Sequence, residues 1–393
     1  MPLLNQEGAG NNSRLYYSLR PQRILLCLLI LASPPAIGES KPGNGNPSDV
    51  MPEMTVSEKI TPTAKDRYKL PVTTESVTKE KMAETVNAMN AEDVIKYLPS
   101  ITVRKRYIGD TNAPVAMRTS GTSSSARSLI YADGILLSSL LGNNNGNTGS
   151  PRWNMVSPSE IERIDVMYGP FSAAYAGNSI GGVIDITTRM PEKFEAGGSV
   201  QATWMDFAFY GHQKTYDAQQ YSFNLGDRRA GFSWRFDVSH LDSHSMPVTY
   251  ATLNQPSATS AAGTPVSGAI PDRNPTNVPI QVLGETNLNH TVQDNFKWKL
   301  AYEITPTIRA AYTLGLWQND NNVGFNSFLR DAAGNTINSG RVNIDGRSYN
   351  ISPTNAPVFA ENNTDQMHWS HGMNLKSSTG GLFDWELIGS VIH

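Results

Sequence analysis

The sequence predicts two parts of different class in one chain. A compact α+β domain is expected over residues 71–192, followed over 193–393 by antiparallel β-strands of the transmembrane-barrel kind. Helix caps and short β-branched runs are interspersed in the first part, and strict apolar/polar alternation recurs in the second. Composition removes the main rivals. Of 393 residues only 17% are charged, the net charge is −3, and aromatic residues make up 9%. No apolar run reaches the roughly 18 residues of a membrane helix, so a polytopic helical protein is excluded. Balanced charge offers no basic face to nucleic acid. A single Cys, Cys27, excludes a disulfide framework and a Cys-ligated metal centre.

The elements follow in chain order. Arg20 and Arg23 precede an apolar run over 24–32, and Ser33-Pro34-Pro35-Ala36-Ile37-Gly38 follows with small residues at Ala36 and Gly38. A basic flank, a short apolar core and a small-x-small site mark a secretory signal peptide, so residues 1–38 are expected to be removed, and Cys27 with them. Residues 39–70 read as unstructured, with the Gly/Pro/Asn/Ser-rich composition of a flexible linker over 39–52. Within them, Glu53-Met54-Thr55-Val56-Ser57-Glu58 is β-prone and suited to strand addition at a partner's sheet edge, although periodicity alone reads it as a spacer.

From residue 71 the punctuation becomes that of a folded domain. Asn90 is a good N-cap, Glu92 and Asp93 favour the first turn, and Pro99 ends a helix expected over 91–98. A strand is expected over 101–104. Ser128-Leu129-Ile130-Tyr131-Ala132 runs into Asp133-Gly134, a strong turn signal. Ser157-Pro158-Ser159-Glu160 is a capping box with Pro at the first helical position, leading into a strand over 161–168 that Gly169-Pro170 breaks. A further β-rich run covers 180–188, and two polar loops occupy 105–116 and 138–153.

Residues 90–189 resemble the plug domain of TonB-dependent outer-membrane receptors. The likeness lies in Ala91-Glu92-Asp93-Val94-Ile95-Lys96-Tyr97-Leu98-Pro99, in Met117-Arg118-Thr119-Ser120-Gly121, and in Tyr131-Ala132-Asp133-Gly134. It is strongest at Ile161-Glu162-Arg163-Ile164-Asp165-Val166 with Gly169-Pro170-Phe171-Ser172-Ala173-Ala174-Tyr175, and closes with Ile180-Gly181-Gly182-Val183-Ile184-Asp185-Ile186-Thr187-Thr188. An Ile-Arg-Gly step common in the family stands here as Met117-Arg118-Thr119, and its Tyr-Gly as Tyr175-Ala176-Gly177. The resemblance implies structural roles for Arg118, Gly121, Asp133, Gly134, Glu162, Arg163, Gly169, Pro170, Gly181 and Gly182. It also makes Glu53, Met54, Thr55, Val56 and Ser57 similar to the box that pairs with periplasmic TonB.

The second part can be read without the resemblance. Phe232-Ser233-Trp234-Arg235-Phe236-Asp237-Val238-Ser239 alternates strictly, as do stretches at 221–225, 296–304, 308–316 and 383–388. Charges share one parity and aromatics the other, which suits a polar interior and an apolar exterior. Tight turns are expected at 226–231, 305–307 and 377–381, and long polar links near 242–290 and 320–365. Receptors of this family close with about 22 strands, whereas roughly seven candidates occur here. The barrel is therefore expected to be incomplete, since open edges cannot sit in lipid, and the chain to be the N-terminal part of a longer receptor.

The resemblance implies localisation in the bacterial outer membrane, TonB and outer-membrane lipid as partners, and energy-coupled uptake of a small-molecule ligand, a ferric siderophore first. The alternatives are another nutrient (a cobalamin, saccharide or copper complex), or a binding protein or inert fragment that transports nothing. Tyr107, Asn112, Arg152 and Trp153 are candidate ligand contacts by loop position. Neither cofactor nor enzymatic activity is expected: there is no His-Glu-x-x-His, Gly-x-Ser-x-Gly or phosphate-binding loop. No metal site is expected either, His212, His240, His244 and Met246 reading as solvated, and His368 and His371 as opposite-facing residues of one strand.

Overall fold

The computed structural model describes residues 73–118, 127–138, 150–169, 175, 177–351, 358–381 and 383–393. The expected signal peptide, residues Glu53, Met54, Thr55, Val56 and Ser57, and Gly121 and Pro170 lie outside the described residues. Strand β1 (Thr74–Thr78) passes directly into helix α1 (Lys79–Thr85), where the Thr78 hydroxyl accepts from Lys81 N at 3.4 Å. Neither element is among the expected ones. The helix spans two turns and buries no residue, so it shows no apolar stripe to read.

The helix expected over 91–98 is instead a single 3-10 turn, Ala91–Val94, followed by turns. It starts at the expected residue, but the bonds that follow close three residues back, Ile95 N donating to Glu92 O (3.4 Å) and Leu98 N to Ile95 O (3.0 Å). Asn90 Oδ1 accepts from Lys105 Nζ (3.0 Å) and Gly109 N (3.1 Å), which commits the capping side chain to another loop. Asp93 turns back to accept from Met89 N and Asn90 N. Strands β2 (Ile101–Val103) and β3 (Val115–Met117) form a small antiparallel pair. Strand β4 (Ser128–Ala132) reaches β5 (Ile135–Leu136) through Asp133 and Gly134, both at positive φ (49° and 82°), as a two-residue hairpin requires. The capping box survives as a 3-10 turn, Pro158–Glu160, before β6 (Ile161–Tyr168) and β7 (Gly182–Thr188). The sheet order is β1-β6-β7-β4-β5, with β4 and β7 parallel. Ile95, Val115, Met117, Ile130, Ile164 and Ile184 are fully buried over it with Trp153 and Val156, each contributing about 1.5–3 kcal/mol.

The remaining strands are β8 (Glu195–Phe209), β9 (His212–Arg229), β10 (Phe232–His244), β11 (Thr249–Asn254), β12 (Thr264–Pro265), β13 (Ile270–Arg273), β14 (Pro279–Thr305), β15 (Ile308–Ser327), β16 (Gly340–Ile344), β17 (Arg347–Ile351), β18 (Asn362–Ser377) and β19 (Glu386–Ile392). Seven of them build an antiparallel meander, β8-β9-β10-β14-β15-β18-β19, with β8 and β19 at its edges. The wall is thus an open sheet and the barrel is incomplete in this chain.

Three expectations about the wall are corrected. The links are shorter than 242–290 and 320–365, because β10 runs on to His244, β14 begins at Pro279, and β15 continues to Ser327. Within the first link, β11 and β13 both pair with the start of β14. The second contributes β16 and β17, which join β12 over a satellite core of Leu283, Leu329, Ile344 and Ile351. The last strand starts at Glu386, since Asp384 Oδ1 accepts from Thr379 N (2.6 Å) and prolongs the turn. The β8–β9 turn at Tyr210-Gly211 is also tight, although it lies at the end of the wall that carries the long links.

Candidate functional site

The α+β domain is fastened to the inner face of the wall, chiefly along β14. In a strand, every second side chain points the same way, and the inward-facing set of β14 is Asn289, Thr291, Gln293, Asn295, Lys297 and Lys299, all buried. They engage the domain rung by rung. Asn289 Oδ1 accepts from Tyr107 OH (3.1 Å), Gln293 Nε2 donates to Gly109 O (2.7 Å), and Asn295 Nδ2 donates to Asn154 O (2.6 Å). Lys297 Nζ donates to Met155 O (2.6 Å) and pairs with Glu160 Oε1 (2.7 Å). Lys299 Nζ pairs with Asp133 Oδ2 (2.8 Å) and donates to the Thr188 hydroxyl. Neighbouring strands add Gln220 Nε2 to Met89 O (2.8 Å) and the Trp317 ring, which joins the domain's own core. A cavity of about 30 Å³, room for one water, lies in this seam between Asn90, Asn154, Gln293, Asn295 and Trp317.

The seam is electrostatically asymmetric. Near the long links it consists of neutral amides and hydroxyls. Towards the short turns it ends in two cation–carboxylate pairs. Burial pushes the Glu160 carboxyl above its ordinary range, a push that Lys297 opposes and Asp237 reinforces. Burial pushes Asp133 the same way, but Lys299 and the hydrogen bonds from Thr188 outweigh it and hold the carboxyl below its ordinary range. A depressed carboxylate stabilises above its unfolded pKa and loses that contribution as pH falls through the folded one. Asp133→Asn should therefore weaken the seam by about 2 kcal/mol at neutral pH, the scale of a lost charged hydrogen bond. Stability curves recorded from pH 7 down to pH 3 should converge for variant and parent.

The other residues singled out in the sequence sit as follows. Tyr107 is half-buried where the seam approaches the long links, and burial, with Asp110 nearby, pushes its phenol up to about 12. Asp110 anchors that loop by accepting from Arg106 Nε and Nη2 (2.8 Å each) and from Asn112 N (2.9 Å). Arg152 is half-buried. Trp153 is a core residue, 3% exposed, whose Nε1 donates to Ala113 O (2.9 Å). Glu162 pairs with Lys79 (2.9 Å), and Arg163 with Asp165 (3.0 Å). Arg118 Nη1 donates to Gly169 O (2.9 Å), with its guanidinium over the Tyr168 ring. Gly181 O accepts from Gly169 N (3.2 Å), closing the neck between β6 and β7. Sequence reasoning placed Lys297 and Lys299 on the inward parity but did not assign the set Asn289 to Lys299 to docking. Its only sequence signal is a run of amide, hydroxyl and Lys side chains at period two.

The described residues thus place an α+β domain against the polar inner face of an open strand wall. Residues 66–183 match the TonB-dependent Receptor Plug Domain family, and the strand wall begins after that match, at Glu195. Over 113 residues it is 31% identical to the Vitamin B12 transporter BtuB of Vibrio vulnificus (strain YJ016), a match spanning 29% of this chain and 17% of that protein. Over 126 residues it is 29% identical to the Ferrioxamine B receptor of Salmonella typhimurium (strain SL1344), spanning 32% and 16%. The solved siderophore receptor PirA from Acinetobacter baumannii shares the fold, with a TM-score of 0.50 at 16% identity over 85% of this chain and 41% of that one. The chain thus spans less than half the length of each of these relatives.

Proposed function

We propose that the chain belongs to an energy-coupled importer of the bacterial outer membrane. In this reading the plug seals the barrel, and TonB, engaging residues 53–57, releases it to admit a scarce chelate. The observation that carries the reading is the two-sidedness of the wall. Its inner face holds Arg235, Asp237, Lys297 and Lys299, all buried against plug or wall partners, while its outer face exposes Phe232, Tyr221, Trp298, Tyr302 and Met373. A soluble barrel reverses that arrangement, and a lipid-facing one requires it.

The ligand class we favour is an iron–siderophore chelate, approaching from the end with the long links, where Tyr107, Asn112 and Arg152 offer an aromatic ring, an amide and a cation. The similarity to a vitamin B12 transporter keeps a cobalamin as the second reading. Radiolabelled ferrioxamine B and cyanocobalamin, offered to cells making the full-length receptor, separate the two. Deleting residues 53–58 should leave ligand binding intact and reduce uptake to the level of cells without TonB. Uptake that survives the deletion would refute the coupling.

A further inference from the structure

We propose that Asp242, His244 and His290 form a binding site for a divalent transition-metal ion on the outer face of the wall, separate from the plug seam. His244 and His290 are directly opposed partners on β10 and β14. Asp242 stands two residues before His244 and therefore shares its face. One ligand atom from each of the three residues lies within 4.8 Å of the others. The two imidazoles stack at 4.2 Å between centroids and 7° between planes, and His290 Nε2 already lies 3.0 Å from Asp242 Oδ1. A tetrahedral zinc ion, with ligands at about 2.0–2.1 Å, needs donors roughly 3.3–3.5 Å apart. Binding requires the two rings to swing out of their stack so that their in-plane lone pairs converge on the ion.

A second carboxylate fits the role of an orienting partner. Asp217 Oδ1, on β9, lies 3.4 Å from His244 Nδ1. A proton held there leaves Nε2 free as ligand, the carboxylate–histidine–metal arrangement that orients bound imidazoles. Two imidazoles and one carboxylate select zinc, nickel, cobalt or copper(II) over calcium or magnesium, which prefer all-oxygen sites.

The location gives the site its own access. Ser243 and Thr291, the alternate residues at this level, are buried on the plug side, so the metal would be reached from outside the barrel. An ion bound here ties β10 to β14 where the link over 245–278 begins. On the same outer face, the residues nearer the short turns are apolar: Val238, Phe236 and Trp234 opposite Phe296, Trp298 and Leu300. The site therefore stands at the rim of the apolar band, in water or among headgroups.

The test uses the full-length receptor in detergent at pH 7.5, titrated with Co2+ by visible absorption and with Zn2+ by competition against a chromophoric chelator. One ion per chain should bind with micromolar affinity. His244→Ala and His290→Ala should each weaken it at least tenfold, and Asp217→Asn several-fold. His240→Ala should leave it unchanged, because His240 pairs with Asp294 (2.7 Å) outside the triad. Lowering the pH to 5.5 should release the metal as protons compete for the imidazoles. Should an alanine variant fail to fold, His244→Asn and His290→Asn keep the side-chain volume and carry the same expectation. Absence of saturable binding, or binding by a folded His290 variant equal to that of the parent, overturns the proposal.

Discussion

Lys297→Met should loosen the plug from the wall by about 3–5 kcal/mol, the range for removing one partner of a buried ion pair. Lys297 and Glu160 side chains are 6% and 1% exposed and meet at 2.7 Å. Without the ammonium, Glu160 keeps the bond from Ser157 N (2.6 Å) but loses the cation paired with it, and Met155 O loses a donor. The direction with pH follows from Glu160, whose folded pKa burial already raises. A carboxyl with a raised folded pKa is best accommodated below its unfolded pKa and becomes a liability as pH rises through the folded one. The deficit of the variant should therefore be largest at neutral pH and shrink on acidification towards pH 4. Adding Glu160→Gln should recover much of the loss, because it removes the stranded charge. Thermal unfolding and protease sensitivity of the plug measure both effects, and a Lys297→Met plug as protease-resistant as the parent at pH 7 would contradict the pairing.

Gly182→Ala should destabilise the plug strongly. Gly182 lies at φ +154°, and a Cβ there would sit 2.6 Å from Met167 O and 2.5 Å from Met117 Cε. The Met117 terminus can move. The Met167 carbonyl is held in the β6–β7 ladder, where Met167 faces Val183 and Tyr168 faces Gly182. Overpacking of about 1–3 kcal/mol adds to backbone strain of about 1–3 kcal/mol, and the sum is a large share of the 5–15 kcal/mol or so that stabilises a domain. Gly177→Ala is the control, since a Cβ there meets nothing within 4 Å. A drop of several degrees in melting temperature for the first variant and none for the second is the expected pattern.

Much of this architecture was legible in the sequence because it rests on local rules. The strand Ile161–Tyr168 is bounded by its own capping box and Gly-Pro break, and the Asp133-Gly134 turn is written in two residues. The alternation of Phe232-Ser233-Trp234-Arg235 separates the two faces of the wall without any knowledge of the partner strands. The misses share one physical cause, which is dependence on distant partners. The helix expected over 91–98 closes only one 3-10 turn, which Asn90 ties to Lys105 and Gly109 of the following loop. The long links shrink because β14 extends far enough to pair with β11 and β13. Trp153 belongs to the core because Ala113 offers its carbonyl to the indole. His244 and His290 look like isolated polar residues until the β10–β14 register sets them side by side.

The plug is seated on β14, and the proposed function requires it to leave that seat for solute to pass. A covalent tie across that seam tests the claim most directly. A Cβ built at Gly109 lies 3.6 Å from Thr291 Cβ, within the roughly 3.5–4.5 Å that a disulfide spans, at a backbone strain of about 1–2 kcal/mol for a side chain at φ +83°. In the full-length receptor carrying Gly109→Cys and Thr291→Cys, uptake of radiolabelled chelate should fall to background when the pair is oxidised. Surface binding should persist, and uptake should return on reduction with dithiothreitol. Uptake at the parental rate by a receptor whose disulfide is verified by mass spectrometry would contradict the account.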